Sequence, residues 1–475
     1  MSNSNYLDEV KNTPADEMMS IGKLSVLGLQ QVLAMFASSI AIPIIVSGAL
    51  KLPLNVMAIL IASSCFATGI CTAFQSIGLK RYLGIRLPIV LGCGMASVAP
   101  ILLIINNLSS NIAGGGSGLS IDQSVALRTV FGATIIAGIV AFLVAPILGR
   151  LSSLFSKIVI GCLLLTVGSS LFNAALNNIV GVPNTPSYGN AQNIWIALIT
   201  LLAIVLLYRF VNQKLRSVAI LFGILIGFVV SIFAGIVNFA PVINAGWIGL
   251  PQPFKFGAPI FTNINADLLL IIVSLINSIE AIGCFSVVSN LCGSPMPTKR
   301  MISGLRAEGI CVAFSGMFNS FSLTSFSSNI GILLLSGIRS RWTTFVGGII
   351  LVAFGLIPKT AAFITIIPSC VLGAGILAIC GSVLVAGIIN LKQVNLDYYG
   401  NVITIAISVG VGVAFNGKQA ALSQMPTFVK DILPGGVICT VIIAVLLNLL
   451  FNFKEIKENF KALNAKEKLS VEKAI

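Results

Sequence analysis

Histidine is missing from all 475 residues, charged residues make up only 9%, and tryptophan occurs three times. Without histidine there is no Ser–His nucleophile pair, no HExxH zinc site and no imidazole proton shuttle. An ordinary soluble chain is about one-quarter charged, so this one cannot coat a water-facing surface. Cysteine is present ten times, yet no two stand as CxxC and none clusters at metal-ligand spacing. All ten read as small apolar residues between helices, and neither a metal site nor a cofactor is expected. What fills the chain is apolar: 57% hydrophobic residues, 45 glycines and 28 phenylalanines, with a mean hydropathy of +1.03. Disorder is excluded. The composition is that of a polytopic membrane protein.

Apolar runs of spanning length fall at 24–46, 54–77, 87–105, 130–148, 158–176, 194–208 and 218–239. A second set falls at 268–288, 307–321, 329–337, 342–356, 371–391, 402–415 and 437–450, which makes fourteen, the ninth, tenth and thirteenth being shorter than a full crossing. The formal charge of +14 is a topology signal. With the N-terminus cytoplasmic, fourteen loop cations face inward, among them Lys80, Arg150, Arg306 and Arg341, against six facing outward. That asymmetry follows the positive-inside rule; attraction to anionic membrane lipid is a by-product, and no nucleic acid is implied. The first twenty residues mix Asp8, Glu9, Asp16 and Glu17 with Lys11 and carry no apolar core, so no cleavable signal peptide is expected. Both termini are placed in the cytoplasm and the protein in the plasma (inner) membrane. The tail 454–475 alternates Lys and Glu at helical spacing and reads as a solvated helix. The connection 240–266 reads as an outer surface loop.

Two sets of seven spans suggest an internal repeat, and because seven is odd the second copy enters the membrane from the opposite side. Inverted repeats of this kind recur in secondary transporters. The third span of each copy is interrupted, at Leu87-Pro88-Ile89-Val90-Leu91-Gly92-Cys93-Gly94 and at Ser325-Phe326-Ser327-Ser328-Asn329-Ile330-Gly331. Such stretches release backbone amides from the helical ladder and are tolerated only where protein or ligand satisfies them. Paired interruptions are the best sequence pointer to a substrate site.

Fourteen acidic residues are present, and Glu280 and Glu308 alone fall at hydrocarbon depth. A carboxylate at a helix centre costs about 2.5–3.5 kcal/mol on insertion scales, so an idle one is not expected. Glu280 lies mid-span. Glu308 lies nearer the cytoplasmic end and close to Arg306, which leaves a structural ion pair as its competing reading.

Around these residues the chain resembles a known family. Ser328-Asn329-Ile330-Gly331, continuing to Gly337-Ile338-Arg339-Ser340-Arg341, looks like the signature of the nucleobase–ascorbate transporters, the xanthine/uracil permeases. Gly28 to Met35 resembles the first-span motif, Leu87-Pro88 with Gly92 the third-span strand, and Ala307-Glu308-Gly309 the ninth-span motif. Ile367-Pro368, Val371-Leu372-Gly373 and Leu433-Pro434 match later landmarks, so the resemblance runs in order over about 22–453. It implies an all-α polytopic fold of fourteen spans in two inverted seven-span repeats, with short strands in broken spans three and ten. A core domain would comprise 22–148 and 267–360, a gate domain 156–240 and 361–453, with cytoplasmic segments 1–21 and 454–475. The gate would also supply the surface of a homodimer.

By the same resemblance the nucleobase sits between the two strands. Glu280 holds the base, Gly94 and Met95 offer third-span amides, and Ser327, Ser328 and Asn329 line the tenth-span side, with Gly331 in support. Three residues depart from the pattern. Ser328 replaces a Gln or Glu, Gln31 stands where a first-span His is common, and Cys284 replaces an Asp or His. The Gly-Ile-Arg-Ser-Arg ending points to the purine branch, and the lost Gln points back. The reading taken is import of xanthine or urate by proton symport and alternating access, with no enzymatic activity. A uracil permease of the same family, or an anion transporter of the same fold, is the alternative. Glu280 and Glu308 are the proton-coupling residues, because a buried carboxylate can titrate near neutrality; sodium remains a second choice of ion.

Overall fold

The computed structural model describes residues 13–79, 82–108, 121–150, 156–170, 172–181, 188–211, 219–326, 333, 339–415, 436–437 and 439–453. Ser327, Ser328, Asn329 and Gly331, all but one residue of the tenth span, and the tail 454–475 lie outside them. Apolar runs become helices, which tolerate Pro43 and Pro146 in their interiors, and Gly or Pro also stands at several of their ends. α1 (Ile21–Ala49) and α2 (Leu54–Ile77) are separated by Pro53, and Gly78 at φ +66° ends α2. After β1 (Leu91–Cys93) and a single 3-10 turn, Met95–Ser97, come α3 (Val98–Leu108) and α4 (Ile121–Arg150). α5 (Lys157–Ser170), α6 (Phe172–Val180), α7 (Ala191–Phe210) and α8 (Ala219–Phe233) complete the first half. The short α9 (Ala240–Asn244) leads to α10 (Ile264–Leu291), α11 (Thr298–Met317) and β2 (Leu323–Ser325). α12 (Arg341–Leu356), α13 (Pro358–Thr365), α14 (Ser369–Leu391), α15 (Tyr399–Phe415) and α16 (Cys439–Phe453) follow.

The protein is thus mostly helical. Among the described residues five helices, α2, α4, α7, α10 and α14, are each long and apolar enough to cross a membrane, and α12 with α13 forms a further candidate bent by 78°. α11 begins at Thr298, nine residues before the apolar run 307–321 that marks it in the sequence, and stops at Met317. Its first turns carry Lys299, Arg300 and Arg306, which hydropathy alone cannot see as helix.

Helix pairing is set by small residues that let backbones touch. A Cβ on Gly69 would lie 2.6 Å from the Gly348 carbonyl oxygen, fixing α2 against α12, and one on Gly138 would lie 2.3 Å from Ala313 N, fixing α4 against α11. α1 also packs on α12, α10 on α4, and α5 on α14. The connection after α9 lies at the surface, as the sequence suggests, and is anchored there. Phe254 N donates to Met317 O at 2.9 Å, Gly249 N to Leu356 O at 2.9 Å and Arg128 Nε to Ala258 O at 2.6 Å, tying it to the ends of α11, α12 and α4.

At the opposite end a 3-10 turn at Pro14–Asp16 tucks Ala15 into the protein and pairs Asp16 with Arg341. Arg341 Nη1 also donates to Ser76 O at 2.9 Å and Ile77 O at 3.1 Å, the last carbonyls of α2. Helix-terminal carbonyls have no partner of their own, so one side chain here caps α2, opens α12 and holds the N-terminal segment. Arg341→Ala is expected to destabilise the protein by roughly 1–3 kcal/mol, seen as a lower melting temperature in detergent. Arg339→Ala, which removes an exposed side chain, is the control that should melt normally. Equal melting of the two variants would refute the capping role.

Candidate functional site

Among the described residues, each interruption carries part of a short strand. β1 and β2 pair antiparallel with Leu91 opposite Ser325, Gly92 opposite Thr324 and Cys93 opposite Leu323. The ladder is continued by Gly94 N donating to Ser322 O at 2.9 Å and Phe326 N to Val90 O at 3.1 Å. β2 lies at the start of the interrupted stretch and reaches two residues ahead of it. Thr72 of α2 steadies β1, its hydroxyl accepting from Leu91 N at 3.1 Å. Gly92 is required here because a Cβ would sit 1.8 Å from the Phe326 ring. Past β1, Gly94 opens the turn that carries Met95, and Ser97 Oγ closes that turn by donating to Gly94 O at 2.5 Å. The turn runs directly into α3, so a helix start lies beside the strand pair. Helix starts present unpaired N–H groups and a positive dipole end.

α10 runs alongside and contacts both the turn and β2. Asn277 Nδ2 donates to Ser322 Oγ at 3.4 Å, Thr324 Oγ1 donates to Asn277 O at 3.4 Å, and Cys284 Sγ donates to Ser325 O at 3.6 Å. Glu280 lies between Asn277 and Cys284, about one turn from each, and is half-buried. A Cβ on Gly94 would meet Asn277 Nδ2 at 2.8 Å, which shows how closely the turn approaches α10.

Glu308 of α11 is 2% exposed, and its Oε1 accepts from Ser325 N at 2.9 Å. Its Oε2 is buried with no partner among the described residues. Glu280 is near enough for its charge to act on Glu308. The ion pair with Arg306 does not form: Arg306 lies over the Phe142 ring, 5.8 Å from its centroid. Residues two apart on a helix do not share a face, so Glu308 turns to the strands and Arg306 away.

The fold therefore brings Gly94, Met95, Glu280, Cys284 and Glu308 around one strand pair. Gln31 goes elsewhere. Its Nε2 donates to Thr343 Oγ1 at 3.3 Å at the crossing of α1 and α12. Ser327, Ser328, Asn329 and Gly331 continue from β2 and are outside the described residues. Asn277 and Thr72 were not singled out by the sequence. Asn277, a buried amide one turn before Glu280, carried a usable signal; Thr72 carried none, since a helical threonine usually bonds its own backbone.

Two short strands meet inside an apolar helical body, with two carboxylates beside them and several helices long and apolar enough to cross a membrane, the make-up of an integral membrane protein. Residues 22–417 match the profile of the xanthine/uracil permeases, described as the "Permease family", and the chain belongs to that family, the nucleobase–ascorbate transporters. The uric acid transporter UacT of Escherichia coli (strain K12) is 35% identical over 439 residues, covering 92% of this chain and 88% of that protein. The xanthine permease of Bacillus subtilis (strain 168) is 36% identical over 431 residues, covering 91% and 94%. Among solved structures, SLC26A9 superposes with a TM-score of 0.62 at 14% identity over 91% of this chain and 66% of that chain. The chain thus spans just under two thirds of that structure's length. The transmembrane domain of the cyanobacterial bicarbonate transporter BicA gives 0.55 at 15% identity, over 89% and 97%. At these identities the two likenesses speak for the fold alone.

Proposed function

We propose that this protein imports a purine nucleobase, xanthine or urate, by proton symport and alternating access across the plasma membrane. The observation that carries the reading is Glu280, held beside the turn Gly94–Met95 at the strand pair. A planar base offers several N–H donors and carbonyl acceptors. A carboxylate on one side and helix-start amides on the other pair both kinds of group, and any group left bare in a dry site is costly. The relatives' names, uric acid transporter and xanthine permease, support a purine over uracil.

An inverted repeat of fourteen spans accounts for the packing. Exchanging each span with its counterpart seven later turns the pair α2–α12 into α11–α4, and α1–α12 into α10–α4, while β1–β2 and α5–α14 map onto themselves. In this reading 22–148 and 267–360 form the core that carries the site, and 156–240 and 361–453 the gate against which it moves. The gate is also the face for a homodimer, with both termini in the cytoplasm.

An anion carrier of the same fold is the rival reading, and Glu280 opposes it, because its carboxylate needs N–H donors to pair with, which a purine offers and sulfate does not. The test is uptake of labelled xanthine into cells expressing the protein, with excess unlabelled xanthine, urate, uracil, sulfate and bicarbonate as competitors. Xanthine and urate should suppress uptake at least tenfold more effectively, about 1.4 kcal/mol, than uracil or either anion. Stronger competition by sulfate or bicarbonate would overturn the assignment; stronger competition by uracil would move it to the uracil branch.

A further inference from the structure

Away from the strand pair, a cavity of about 530 Å³ opens between α1, α8, α13 and α14. That volume is in the ~300–1,000 Å³ range of ligand sites, but the chemistry is not that of a nucleobase. Its walls are Ile44, Ile224, Phe363, Ile367 and Ile376 with similar neighbours, and Lys359 and Thr360 bring the polar side chains. Thr360 Oγ1 is already engaged with Phe354 O at 2.7 Å and Ile357 O at 2.6 Å. A purine in this groove would leave nearly all its polar groups bare, at a cost no apolar contact offsets.

Lys359 marks one end. Its Nζ lies 4.1 Å from the centroid of the Trp247 ring, and among the described residues no carboxylate pairs with it. Alongside Trp247, the side chains of Ile243, Ile248 and Leu250 are each exposed over more than two thirds of their surface. Exposed apolar residues with a Trp and a Lys at one level are the pattern of the membrane–water interface, where the ring lies at headgroup depth and the ammonium reaches for phosphate.

We propose that this groove binds an anionic phospholipid of the outer leaflet, one acyl chain between α8 and α14 and its phosphate on Lys359 beside Trp247. The apolar walls accept the chain, and the uncompensated cation at the mouth supplies the complementary charge. A zwitterionic headgroup brings its own cation to compete with Lys359 and is the weaker ligand. The lipid would lie between elements from both halves of the chain, where their relative movement would be felt.

The probe is an equimolar mixture of dioleoyl phosphatidylglycerol and dioleoyl phosphatidylcholine added to the purified full-length protein, with retained lipid counted by native mass spectrometry. A basic residue near a membrane surface is worth about 1 kcal/mol, so wild type should retain one phosphatidylglycerol per chain with about fivefold preference. Lys359→Gln should bring the ratio close to one, and Lys359→Arg should restore it. Ile376→Trp, which fills the groove, should lose both lipids. Lys51→Gln, at an exposed lysine of another outer loop, should behave as wild type. Equal retention of the two lipids by wild type overturns the proposal. So does a preference that survives Lys359→Gln, or one that Lys51→Gln abolishes equally. These outcomes are independent of the nucleobase reading, which the uptake panel tests separately.

Discussion

Glu280→Ala protein reaches the membrane folded and no longer binds xanthine or urate: that is the expected result with the largest effect. α10 is secured to β2 by Asn277 and Cys284, so losing the half-buried Glu280 side chain between them leaves that attachment in place. The base loses far more. A hydrogen bond to a charged group contributes about 1.5–3 kcal/mol, and a base that donates two N–H groups to one carboxylate forfeits both. At 1.4 kcal/mol per decade the affinity falls by about 10²–10⁴. Glu280→Asp, with the same charge on a shorter stem, should recover part of it. Binding of labelled xanthine to detergent-solubilised protein, with melting temperature as the folding check, decides the matter. Near-normal affinity in Glu280→Ala would remove Glu280 from the site.

How far the site could be read in advance depended on the kind of force involved. The first interruption was legible because Gly and Pro break an apolar run at a definite place, the second only at Ser325 among the described residues, and both carboxylates because a charge at hydrocarbon depth is costly enough to stand out. Directional bonding was not legible. Arg300 counts in the sequence as an inner-loop cation, yet it is fully buried, with Nε donating to Ile85 O at 2.8 Å and Nη1 to Pro295 O at 2.6 Å. Gln31 looked like a pocket residue and instead bonds Thr343. The proximity of Arg306 to Glu308 along the chain suggested an ion pair, which the helical rotation of two residues separates. Hydropathy measures transfer between phases. It does not say which way a side chain turns once both faces of a helix are covered by protein.

Glu308 is the place where that turn matters most, and its neutralisation supplies the second large effect. Ser325 N holds Oε1, while Oε2 is buried beside it without a partner among the described residues, so Oε2 is the atom available to a proton. Ser325 belongs to β2, and its carbonyl accepts from Cys284, one turn beyond Glu280. In the proposed mechanism a change of charge on Glu308 would pass through one residue of backbone to the strand proposed to face the base. Glutamine in its place keeps an oxygen for Ser325 N and fills the same volume, so the strand pair should persist. What it cannot do is gain or lose a proton. Moving one charge through 100 mV is worth about 2.3 kcal/mol, or roughly fifty-fold accumulation. In vesicles loaded with base, Glu308→Gln should therefore retain exchange down a gradient and lose accumulation driven by an imposed pH jump, from tens of fold towards none. Ser325→Ala preserves the backbone amide and should leave that accumulation nearly intact. Full pH-driven accumulation by Glu308→Gln would assign coupling to Glu280 or to another ion. Loss of exchange together with accumulation would make Glu308 a support of the strand pair, its carboxylate needed for the Ser325 amide and not for a proton.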